Sequence, residues 1–299
     1  DERHGYVSLE SESILLAPAV EEAALSAART SGLEASPVLA HLANTITKTS
    51  PEPRGGMKSA EGGARATEGP SAISDAEHVI PYSTIVAIDP DSALARALDP
   101  PAEGLKTGEI ILNRWAADDL QASLSDPIRM TYYVTGALGR LETRSETFTL
   151  RHVLTLDGPA ADPGFIPEYK GITDTENLAD WNPPFPINLR LVRKKDEDYW
   201  DRYRTTPKAF VTLSDGQRLW ADQPDRFGRL TSIRLTFPVP EPLLLGQTIK
   251  TKYAKIADEF TRTLLRELPL DRMGLHWDSV RQRVAEASQG NTDFGMLFI

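Results

Sequence analysis

Between Ser50 and Ser74 the chain is built of Gly, Pro, Ala, Glu and Ser, with hardly a large apolar residue. Such a stretch cannot buy back its ordering entropy by burial, so it reads as a flexible surface loop. Any core must therefore be assembled from segments on either side of it.

The segment before the loop opens as β-α-β. Ser13-Ile14-Leu15-Leu16-Ala17-Pro18 reads as a short strand. Ala19 to Arg29 follows with Val20, Ala23, Ala24, Ala27 and Ala28 at helical spacing, ending near Gly32, and Pro37 to Thr47 reads as a second extended segment. After the loop, Val79 to Ile88 reads as a strand, and Asp89-Pro90-Asp91-Ser92 as the cap of a short helix reaching Leu98. Glu109 to Leu112 reads as a strand leading into a short helix with Trp115, Ala116 and Leu120. Ile128 to Val134 and Thr143 to Leu156 alternate like paired antiparallel strands around a turn at Gly136 to Gly139. A Pro-rich, aromatic-bearing loop at Gly158 to Pro186 precedes a mixed-charge helix, Arg193 to Arg204, with its aromatics turned inward. Ala209 to Leu213 and Ser232 to Phe237 return as strands. Lys252 to Arg266 is amphipathic, and Trp277, Val280 and Val284 continue a second helix. The class is mixed α+β.

With 299 residues, 40% of them hydrophobic, the chain can bury one large core or two packed subdomains. Its 33 basic and 43 acidic residues leave a formal charge of −10, which works against phosphate attraction and argues against a nucleic-acid partner. There is no cysteine, which removes disulfides, thiolate nucleophiles and Cys-ligated metals. No apolar run approaches the ~20 residues of a membrane span, and no signal-peptide pattern is present. The opening Asp1-Glu2-Arg3-His4 and the closing Phe294-Gly295-Met296-Leu297-Phe298-Ile299 suggest a loop domain bounded by membrane helices.

Chemistry is sparsely signalled. His4, His41, His78, His152 and His276 are scattered and none falls in an H-E-x-x-H pattern, so no metal is expected. Nucleophile elbow, P-loop and dinucleotide fingerprints are all missing, and no cofactor or catalytic residue is assigned. Asp118-Asp119 and Asp196-Glu197-Asp198 could supply catalytic carboxylates or calcium oxygens, but neighbouring Arg and Lys favour a solvated, ion-paired face. Asp89-x-Asp91 lacks the rest of a calcium loop and reads as a helix cap. Trp181, Phe185, Tyr199, Trp200 and Tyr203 either form a ligand platform or pin the Pro-rich loops to the core, the second being the commoner use.

Several stretches resemble a known family. Glu109-Ile110-Ile111-Leu112-Asn113-Arg114-Trp115-Ala116-Ala117-Asp118-Asp119-Leu120, leading through Asp126-Pro127-Ile128 into two strands, and the return Thr206-Pro207-Lys208-Ala209-Phe210-Val211-Thr212-Leu213 resemble the extracytoplasmic core domain of FtsX/MacB-like ABC transporter permeases. Ala179-Asp180-Trp181-Asn182-Pro183-Pro184-Phe185-Pro186, Lys194-Lys195-Asp196-Glu197-Asp198-Tyr199-Trp200 and Thr292-Asp293-Phe294-Gly295 are similar to a bacterial subgroup of that family. The insertion at 51–74 and the loop at 158–190 depart from the general pattern.

The resemblance implies a non-catalytic, periplasmic, membrane-anchored domain in two parts. Residues 1–104 and 205–299 would form a porter-like β-α-β subdomain from both chain ends, with 105–204 as an inserted β-rich subdomain. Its partners would be the permease's own transmembrane helices, indirectly a cytoplasmic ABC ATPase, and a second permease copy or a periplasmic protein. Ile256, Phe260, Leu264 and Leu265 would couple the last amphipathic helix to the core. The rival expectations are an extracytoplasmic ligand- or carbohydrate-binding module using the aromatic loops at 181–203, and a hydrolase with a convergent Ser, His and carboxylate.

Overall fold

A computed structural model describes residues 5–49, 78–99, 102–136, 139–220, 228–237 and 249–273. The low-apolar loop at 51–74, His4, His276, the helix expected around Trp277 to Val284 and the closing apolar run lie outside the described residues.

The chain is α+β. Its strands are β1 (Val7–Glu10), β2 (Glu34–Lys48), β3 (Val79–Ile88), β4 (Glu109–Asn113), β5 (Pro127–Thr135), β6 (Leu141–Leu154), β7 (Ala209–Thr212) and β8 (Ser232–Thr236). Among the described residues six α-helices accompany them: α1 (Pro18–Thr30), α2 (Ala93–Ala97), α3 (Arg114–Asp119), α4 (Lys194–Tyr203), α5 (Leu213–Trp220) and α6 (Ile249–Glu267). All eight strands join one sheet in the order β1-β8-β2-β3-β7-β4-β6-β5, and β5 pairs back onto β2. The return pairing closes six strands, β2-β3-β7-β4-β6-β5, into a ring, with β8 and β1 extending outside it.

The ring has an internal two-fold logic. Two antiparallel hairpins, β2–β3 and β5–β6, are each followed by a helical connection and a third strand, β4 and β7 respectively. Each third strand lies parallel to the other hairpin's second strand, β3 with β7 and β6 with β4. The two first strands pair antiparallel, as do the two third strands. Each third strand also turns directly into a helix capped by its own last residue. Asn113 Oδ1 accepts from Ala116 N–H at 2.8 Å, and Thr212 Oγ1 accepts from Asp215 N–H at 3.1 Å.

Strand alternation separates an inner cluster from outer ones. Leu39, Ala43 and Ile46 of β2, Ile85 and Ala87 of β3, Ile110 and Leu112 of β4, Met130 and Tyr132 of β5, Phe148 and Leu150 of β6 and Val211 of β7 share one core. The intervening Val86, Ile88, Ile111 and Phe210 pack outward against Leu94, Ala95 and Leu98 around α2. A bulge between Ala43 and Thr45 lets Ile46 return to the inner side. Outside the ring, α1 and α6 cover β1 and β8 through Ala24, Ala27, Ile233, Leu235, Ile256, Phe260 and Leu264.

The expected strand at Ser13 to Pro18 is a correction. The first strand is Val7–Glu10, which has a partner in β8, whereas Ile14 and Leu15 donate their amides back to Ser11 and Ser13 and Ile14 sits at φ 71°. The β-α-β opening survives with the shifted strand: β1 and β2 flank β8, each antiparallel to it, with α1 between them in sequence. Leu265 is a second correction. It is 62% exposed, while Ile256, Phe260 and Leu264 are buried. One step along a helix turns the side chain by about 100°, so Leu264 and Leu265 cannot share a face.

Candidate functional site

Along one edge, β2 pairs with β8 through Glu34 to Val38 and with β5 from Ala43 to Lys48. Among the described residues, 39–42 have no ladder partner on that edge, although Thr231 Oγ1 accepts the Ala40 amide at 2.9 Å. The gap opens into a cavity of about 290 Å³. Its floor is made by Ala40, His41, Leu42 and Asn44 of β2, with Thr84 of β3 and Tyr133, Val134 and Thr135 of β5. The Pro-rich segment supplies the opposite wall: Ile166, Pro167, Tyr169, Ile172, Trp181 and Phe185.

That wall is held by local chemistry. Tyr169, Ile172 and Thr173 close a turn, in which the Thr173 hydroxyl donates to the Tyr169 carbonyl at 3.1 Å and accepts its amide at 2.8 Å. Gly171 sits at φ 82° with the Asn182 carbonyl close to where a Cβ would stand, so only glycine suits this turn. Trp181 packs edge-on to Trp200 of α4 at 5.1 Å between ring centroids, and Tyr82, Ile172, Leu178, Trp181 and Trp200 form one buried cluster. The Trp200 indole donates to the Glu176 carbonyl at 2.9 Å. The Trp181 indole N–H has no hydrogen-bond partner among the described residues, although the residue is only 7% exposed.

His41 is one of the residues lining the cavity. Its ring stacks on Trp220 of α5 at 4.8 Å and meets Tyr132 edge-on at 6.4 Å. Desolvation lowers its pKa to about 4, against a smaller opposing effect of the Tyr133 backbone, so it is neutral at physiological pH. Among the described residues no Asp, Glu, Lys or Arg lines the cavity.

A second polar centre lies beside α4. The Lys208 ammonium sits 4.6 Å from the Trp115 ring centroid and 4.7 Å from that of Tyr199. Burial pulls its pKa down to about 8, opposed by Asp196 and Asp119 and assisted by Arg193. Asn113 donates to the Tyr199 hydroxyl and to the Pro207 carbonyl, both at 2.9 Å, and Tyr199 in turn donates to the Thr206 carbonyl. These bonds fasten α4 to β4 and to the turn before β7.

The acidic candidates fall into ion pairs. Asp118 and Asp119 diverge as expected for helix neighbours. Asp118 reaches Arg114 at 4.0 Å on the surface, whereas the buried Asp119 carboxylate holds Arg193 at 2.6 Å and also Lys195. Asp196 takes Arg193 at 2.7 Å, Asp198 takes Lys194 at 3.1 Å, and Glu197 accepts the Leu178 and Ala179 amides. Asp89 accepts the Asp91 amide while Ser92 Oγ caps α2. His78 Nδ1 lies 3.0 Å from the Asp119 carbonyl oxygen, and His152 sits on β6, away from His41. Among the described residues no cluster of three His, Cys, Asp or Glu could hold a metal ion, and no helix is long and apolar enough to cross a membrane.

Of the five singled-out aromatics, Trp181 and Phe185 line the cavity, Trp200 backs Trp181, and Tyr199 and Tyr203 belong to the Lys208 side. Sequence reading missed His41, Tyr133 and Trp220. The alternation of β2 and β5 placed His41 and Tyr133 on strand faces, but only the closure of β5 onto β2 brings them together, and Trp220 reaches His41 from α5. No family model matches the chain, and comparison with curated proteins returns no match.

Proposed function

We propose that this chain is a non-catalytic extracytoplasmic domain of a bacterial ABC transporter permease of the FtsX/MacB-like kind, passing ATP-driven movement of transmembrane helices to substrate or partner proteins of the envelope. The observation that carries the reading is the meeting of early and late segments outside the ring. Gly5 packs against the Tyr253 hydroxyl of α6, the Thr30 hydroxyl donates to Glu267 at 3.1 Å, and Arg272 pairs with Glu22 at 2.7 Å. A helical pad drawn from both flanks of the sequence suits a device that receives motion from two membrane helices and delivers it to a stiff ring.

The two-part arrangement enters this proposal as two halves of one sheet. Strands from 1–104 and 205–299, namely β1, β8, β2, β3 and β7, are contiguous on one side, and β4, β6 and β5 from 105–204 are contiguous on the other. The partners proposed are the permease's own helices, a cytoplasmic ATPase acting through them, and a second permease copy or a periplasmic protein.

The test uses the chain's lack of cysteine. A single Lys194→Cys substitution on the exposed start of α4, made in the full-length gene product, is expected to react in intact cells with a membrane-impermeant maleimide and to leave copurification of an ATPase intact. Labelling that appears only after lysis would remove the extracytoplasmic placement. A second reading, an extracytoplasmic ligand-binding module, is favoured by the cavity between β2, β5 and the 158–193 segment.

A further inference from the structure

The cavity's chemistry narrows what could occupy it. Its walls are aromatic and aliphatic, its polar groups are those of Asn44, Thr84, Thr135, Thr205, Thr231, the neutral His41 and the hydroxyls of Tyr133 and Tyr169, and among the described residues no formally charged side chain lines it. A charged ligand entering here would lose its hydration with no counter-charge in return. A sugar would leave many hydroxyls facing aliphatic walls. The volume, about 290 Å³, is roughly twice the ~150 Å³ apolar cavity that holds one benzene. The mouth is marked by Leu141, an aliphatic side chain left 43% exposed.

We infer that this cavity is a binding site for a neutral, largely apolar small molecule of about two fused rings. The inference rests on the ligand-binding reading and specifies its ligand class. It is independent of whether the domain belongs to a transporter.

Isothermal titration of the purified chain with three probes tests it: 2-acetonaphthone, a neutral two-ring ketone; 2-naphthoate, its charged analogue; and maltose. The ketone is expected to bind saturably at 1:1, at least about tenfold more tightly than either of the others. Leu42→Trp, with its fold checked by circular dichroism, should fill the floor and abolish binding. Equal or tighter binding of naphthoate or maltose would overturn the ligand class while leaving a binding module standing. Ketone binding untouched by Leu42→Trp would overturn the site. No binding of any probe up to millimolar concentration would overturn both the inference and the binding-module reading.

Discussion

Arg234 and Asp162 form an ion pair at 2.9 Å in which both side chains are only 2% exposed. The Arg234 guanidinium also lies 3.6 Å from the Phe165 ring centroid and 4.1 Å from that of Tyr6, while the Tyr6 hydroxyl donates to Asp162 at 2.7 Å. The pair ties β8 and the chain start to the beginning of the Pro-rich segment. Breaking it from one side strands a charge in an apolar setting, so Asp162→Asn should destabilise the fold by about 3–5 kcal/mol in urea titrations. Arg234→Met combined with Asp162→Asn should recover part of that loss.

His41 sets a pH dependence. Its folded pKa of about 4 lies below the ordinary 6.5, so in that window the unfolded chain binds more protons. The stability it contributes is complete above about pH 6.5 and is lost as pH falls toward 4, with a slope approaching 1.4 kcal/mol per pH unit. His41→Phe keeps the stack on Trp220 and should flatten this part of the stability profile relative to the unmodified chain, the carboxylates contributing equally to both.

Leu264 and Leu265 offer a paired contrast. Leu264 is 7% exposed against α1 and the β1–β8 extension, and Leu264→Ala should cost about 2–4 kcal/mol. Leu265→Ala should stay within about 0.5 kcal/mol of the parent. Thermal denaturation of the two variants side by side distinguishes them.

Gly216 is where α5 meets the ring. A Cβ there would overlap the Ala87 Cβ and crowd the Trp220 ring. Gly216→Ala should therefore destabilise, against the ~1 kcal/mol that alanine gains in an unconstrained helix. The near-ultraviolet circular dichroism of Trp220 should change with it.

Much of the element list was legible because it depends on local periodicity. The apolar stripe of α1, the alternation of β5 and β6, and the Ser92 cap of α2 all show in neighbouring residues. What depended on distant partners did not. β1 is Val7–Glu10 because β8 pairs with it, and α5 went unread because its apolar face is defined by β2, β3 and β7. The equivalent caps at Asn113 and Thr212 use different residue types, so the caps themselves do not disclose the repeat. At the cavity, Trp181 and Phe185 drew notice as aromatics beside prolines. His41 could be singled out only once β2 was known to lose its edge partner between residues 38 and 43.

The closed ring sets an order of events during synthesis. The parallel partner of β3 at Ile85 to Ile88 is β7 at Ala209 to Thr212, which must enter between β3 and β4, strands made long before it. Until those residues leave the ribosome, β3 and β4 present bare edges rich in isoleucine and leucine, the kind of surface that recruits other chains. A nascent chain stalled before Ala209 is therefore the form of this protein most in need of a chaperone.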